Sequence, residues 1–72
     1  MVRIRIQIGR DKPIFLRCDS KPDGVARAER LADTIGLAVR SEHPVTRHGN
    51  RWTITGLHDQ FIVSVEGGSG VV

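Results

Sequence analysis

Between Val2 and Ile8 apolar and polar residues alternate without a break, with Val2, Ile4, Ile6 and Ile8 on one side and Arg3, Arg5 and Gln7 on the other. A period of two with β-branched residues on a single side predicts a half-buried strand. Gly9-Arg10-Asp11-Lys12 supplies turn chemistry, and Pro13 can open a second strand where its missing N–H is not yet needed. On that second strand Ile14, Leu16 and Cys18 share one face, and Phe15 and Arg17 the other. The two segments read as an antiparallel hairpin.

The period then changes. From Ser20 to Leu37 the apolar residues Val25, Ala28, Leu31, Ala32 and Ile35 recur at spacings of three and four, which predicts one amphipathic helix. Ser20 is the natural N-cap, Asp23 its acidic partner three residues on, and Pro22 falls in the first turn. Gly36 is expected to end the helix in the left-handed conformation, with Leu37 folding back on the last turn.

After the helix the chain turns extended. Leu37, Ala38 and Val39 could begin a third strand, which Pro44 confines to an edge or breaks. His48-Gly49-Asn50 marks a turn between Val45-Thr46-Arg47 and Arg51-Trp52-Thr53-Ile54-Thr55. Trp52 and Ile54 share a face, and Trp52 is expected to anchor the core. A turn from Gly56 to Asp59 leads into a last strand, Gln60 to Glu66. There Phe61, Val63 and Val65 point inward, Ser64 and Glu66 outward, and Ile62 breaks the pattern. Residues 67–72 read as a flexible, glycine-rich tail.

This order predicts an α+β fold over residues 1–66. It is a small two-layer domain with one helix packed on an antiparallel sheet of four or five strands, ββαββ or ββαβββ. An antiparallel sheet can leave its second face in water, and here that face would carry Arg3, Arg5, Gln7 and Arg17.

At 72 residues the chain makes one domain. A core of this size contributes only about 3–5 kcal/mol, so a homodimer is compatible with it, with the first or last strand pairing across a two-fold axis. A single cysteine rules out an internal disulfide framework and favours a reducing compartment, so a cytoplasmic location is expected. The alternation of the first residues is unlike the apolar stretch of a signal peptide, and no run approaches the roughly 18 apolar residues of a membrane span.

Charge changes the picture more than size does. Residues 1–51 carry all 11 basic residues and six of the eight acids, a net charge of +5, whereas residues 52–72 carry two acids and no base, −2. Nine of the 11 bases are arginine, whose planar fork suits phosphate and carboxylate. Arg3, Arg5 and Gln7 stand about 6.5–7 Å apart along their strand, close to the step between phosphates of an extended nucleic-acid strand. Arg17 and Phe15 on the same face would add a cation and a stacking ring. The competing reading is an ordinary charged face that keeps a sheet soluble. A second basic cluster, Arg40, Arg47 and Arg51 with His43 and His48, would sit on the hairpin after the helix, where loops commonly carry contacts.

Other chemistries find little support. His43, His48, His58 and Cys18 match no zinc spacing, and no metal or other cofactor is expected. Cys18 faces inward by its alternation, no glycine-rich phosphate loop is present, and the chain leaves little volume for a pocket, so an enzyme is not expected. The sequence therefore predicts a small non-enzymatic binding domain that uses an Arg-rich sheet face and hairpin to contact nucleic acid. The alternative is a protein-interaction module, a small regulator or inhibitor docking on an acidic protein partner.

Overall fold

The structure, a computed structural model, describes residues 2–67. Five strands and one helix follow in the order ββαβββ: β1 (Val2–Ile8), β2 (Ile14–Cys18), α1 (Lys21–Ala38), β3 (Thr46–His48), β4 (Arg51–Thr55) and β5 (Gln60–Gly67). The strands form one antiparallel sheet in the order β2-β1-β5-β4-β3, with α1 packed on one face.

Strand alternation builds the core directly. Val2, Ile4 and Ile6 of β1, Trp52 and Ile54 of β4, and Val63 of β5 are buried under α1, with Ala28 and Ala32 facing them from the helix. Trp52 anchors the core as its sequence position suggests. The helix lies close because its contact face is small. A Cβ on Gly24 would stand 3.2 Å from the Cγ1 atoms of both Val2 and Val65, inside ordinary van der Waals separation.

The N-cap of α1 follows the sequence reading, with the Asp23 N–H donating to Ser20 Oγ at 3.3 Å and Pro22 in the first turn, but the Asp23 carboxylate pairs with Arg27 at 3.3 Å instead of returning to Ser20. The end of the helix departs from that reading. Gly36 and Leu37 are helical, α1 runs on to Ala38, and no strand begins at Leu37. Arg40, at φ 52°, takes the left-handed position expected of Gly36. The Arg40 N–H donates to the Leu37 carbonyl and the Ser41 N–H to the Gly36 carbonyl, a Schellman closure with arginine in the glycine's usual place. Gly36 serves packing instead, since a Cβ there would meet Val45 Cγ2 at 3.3 Å.

The sheet order corrects two more expectations. Gly67 belongs to β5, opposite Val2, so the strand extends one residue into the expected tail; residues 68–72 lie outside the described residues. β1 and β5 occupy the middle of the sheet, each paired on both sides, so neither can pair across a two-fold axis. Among the described residues the free edges are β2 and β3.

Candidate functional site

The pairing register decides which side chains share the face that α1 leaves uncovered. Residues directly opposite in an antiparallel ladder project from the same side. Arg3 is opposite Arg17 on β2 and Glu66 on β5; Arg5 is opposite Phe15 and Ser64; Ser64 is opposite Arg51, which is opposite His48. One row, Phe15-Arg5-Ser64-Arg51-His48, thus crosses all five strands. With neighbouring strands about 4.8 Å apart it spans about 19 Å. A shorter row, Arg17-Arg3-Glu66, runs beside it, and Gln7-Ile62-Thr53-Thr46 lies on its other side. Ile62, the exception in the β5 pattern, is outward and half-buried among these polar neighbours.

Hydrogen bonding separates the committed side chains from the free ones. Arg3 Nε donates to Glu66 Oε1 at 2.8 Å, and the Arg3 guanidinium lies 4.1 Å from the centre of the Phe15 ring. Arg5 donates to Gln7 Oε1 at 3.2 Å. Gln7 in turn donates to the carbonyls of Gly9 and Asp11, tying β1 to its turn and leaving its amide little freedom to contact a ligand. Arg17 and Arg51 are exposed and make no ion pair among the described residues.

The backbone shows how close Arg3 and Arg17 stand. The Gly9 N–H donates to the Gln60 carbonyl, and the Val65 N–H to the Asn50 carbonyl. By alternation, the peptide groups of Arg3, Arg5 and Gln7 face β5, and those of Ile4 and Ile6 face β2. Arg3 and Arg17 are therefore a non-hydrogen-bonded pair, the closer of the two antiparallel geometries, with Cα atoms about 4.5 Å apart. Like charges directly opposite destabilise a sheet. Glu66 offsets one of the two cations, and an anion bound from outside would offset the other.

The second cluster expected from the sequence does not assemble. The turn at Gly49-Asn50 has two residues, with only Gly49 at positive φ (62°), as in a type II′ hairpin. Arg51 and His48 accordingly face outward, while Arg47, opposite Trp52, faces the helix side. There its guanidinium lies 4.7 Å from the Trp52 ring centre, and its Nε donates to the Gly49 carbonyl at 2.8 Å. Arg40 is used at the helix exit, beside Ser41, His43 and Leu57. Of the seven candidate residues, Arg3, Arg5, Gln7, Arg17 and Arg51 share one face; Arg40 and Arg47 are elsewhere.

Ser64 and Glu66 are outward as the alternation of the last strand predicts; that they stand beside Arg5 and Arg3 is not legible in the sequence, because only the β1–β5 register brings them there. Among the described residues no three His, Cys, Asp or Glu side chains gather as metal ligands, and no helix is long and apolar enough to cross a membrane. The larger depressions lie on the helix side, including a groove of about 380 Å³ between α1 and β2 bounded by Ile4, Leu16, Leu31, Arg27 and Arg30. No protein-family model, curated protein or solved structure matches the chain.

Proposed function

We propose that this domain binds single-stranded nucleic acid on the uncovered face of its sheet. The observation that carries the reading is the coincidence of Arg3, Arg5, Arg17 and Arg51 with Phe15 and His48 on that face, against one carboxylate, Glu66. Single-strand binders combine cations that follow the backbone with rings on which bases stack. Arg17 and Arg51 supply free cations at opposite ends of the face, and Phe15, 44% exposed, supplies a ring. Arg3 holds that ring from one side by a cation–π contact. Sequence preference is not expected to be strong, because Gln7, the amide best placed to read a base edge, is engaged with the turn.

The test is binding of labelled single-stranded and duplex DNA and RNA from low to physiological salt, with Arg5→Ala/Arg51→Ala as the altered protein. The reading requires binding that weakens linearly in log salt, favours single strands and falls sharply in the double variant. Absence of binding at low salt would overturn it and pass the same face to an acidic protein partner.

A further inference from the structure

The free edge at β2 has a symmetry of its own. Since the peptide groups of Ile4 and Ile6 face β2, those of Ile14, Leu16 and Cys18 face back to β1. The N–H and C=O groups of Phe15 and Arg17 therefore point away from the sheet, with no strand beyond them among the described residues. Pro13, next on the same parity, would direct its missing N–H outward, where the β1–β2 ladder does not need it.

The two edges differ. β3 is three residues long, wholly polar (Thr46-Arg47-His48), and follows Pro44. β2 is five residues long and exposes Ile14 (50%), Phe15 (44%) and Leu16 (40%) on both of its faces. Edge strands are ordinarily kept short, charged or covered; β3 follows that rule throughout, whereas β2, though preceded by Pro13 and carrying Arg17, is longer and largely apolar.

We infer that β2 is the interface between two copies of this chain, paired antiparallel across a two-fold axis through Leu16. That register is self-complementary. Phe15 stands opposite the second copy's Arg17, and each such pair exchanges two backbone hydrogen bonds, four in all. Phe15 and Arg17 are both outward, so each such pair lies on the same face of the joined sheet. On the helix side Leu16 meets its own copy in the close, non-hydrogen-bonded geometry, and Ile14 stands opposite the second copy's Cys18. Leu16 also lines the groove between α1 and β2.

Pairing would fuse two sheets into one of ten strands. The long outward row would then continue from Phe15 to the second copy's Arg17 and Arg3, giving one basic surface across the axis. The dimer rests on edge chemistry alone and stands whether or not that surface binds nucleic acid.

The experiment measures the mass of the 72-residue chain in solution by sedimentation equilibrium and maps the contact by disulfide trapping. The wild-type chain should approach twice its 8.0 kDa as concentration rises. Arg17→Pro removes an N–H that the monomer's own ladder does not use, so the variant should keep its folded circular dichroism spectrum and stay at the mass of one chain. In a Cys18→Ser background Leu16→Cys should oxidise to a covalent dimer, because Cα atoms about 4.5 Å apart lie within disulfide range. Thr46→Cys on the β3 edge should not. A wild-type mass of one chain at every concentration, or equal trapping at positions 16 and 46, would overturn the inference. If Arg17→Pro fails to fold, the trapping comparison decides alone.

Discussion

Glu66→Gln gives the sharpest separation between a face that binds phosphate and one that is merely charged. Among the described strands Glu66 is the only carboxylate on the outer face, and it holds Arg3 at 2.8 Å, with the two side chains 38% and 50% exposed. An ion pair that exposed contributes roughly 0–1 kcal/mol. Its loss lowers the melting temperature by at most about 4–8 °C in a domain of this size. Glutamine keeps the shape and an acceptor oxygen, so Arg3 stays over Phe15 while its charge is released. If the face binds nucleic acid as proposed, one further cation then meets its backbone, and each such contact steepens the dependence of log K on log salt by about 0.7 for a single strand. Between roughly 50 and 200 mM salt the variant should therefore lose about 2.6-fold more affinity than wild type, starting from a tighter complex at low salt. Fluorescence anisotropy across a salt series reads both quantities, and thermal melting reads the cost. Tighter, steeper binding together with equal or lower stability is the expected signature. An unchanged slope with a lower melting temperature would show that Arg3 meets no phosphate, and would refute the reasoning.

Two further substitutions test the fold that presents this face. Arg40→Gly relieves a left-handed residue while keeping both closing hydrogen bonds, and should stabilise the domain by about 1 kcal/mol, read as a rise in melting temperature. A fall would show that Arg40 makes a contact worth more than its backbone strain. Gly24→Leu drives a side chain into Val2 and Val65 and should cost at least about 1–3 kcal/mol in urea unfolding. Ala26→Leu, on the exposed side of the same helix, should change little.

The legible parts of this chain were those that depend on neighbours in sequence. Alternation alone divides β1 into Ile4 and Ile6 for the core and Arg3 and Arg5 for the solvent, and Ser20 marks the helix start. Features set by distant partners were hidden. Gly36 resembles a helix end because glycine usually serves there, but its role here is to admit Val45, which lies beyond the helix in the sequence. Arg47 and Arg51 look like one cluster at a hairpin tip. Whether they share a face depends on a two-residue turn whose length fixes the parity of both strands, and that parity divides them. Arg51 joins Arg5 only because β5 inserts between β1 and β4 and offers Ser64 as the link, a sheet order that no local pattern encodes.

That order also separates the residues that hold the fold from those left open to a ligand. Ile4, Ile54 and Val63 are fully buried, and each is flanked on its own strand by residues of the opposite parity that reach the outer face. Substituting an outward residue therefore removes no core contact. Arg17 and Arg51 illustrate the clean case, since neither makes an ion pair among the described residues. Arg5 is an intermediate case, because its bond to Gln7 is shared with the β1–β2 turn. Gln7 is the exception that proves informative: it lies on the outer face, yet its amide is engaged by the turn, so its loss should loosen the hairpin rather than the proposed complex. A binding defect at position 7 without a stability defect would mean that the turn contacts give way when a ligand arrives. Parity assigns the side of the sheet, and hydrogen bonding decides which residues on that side are free to act.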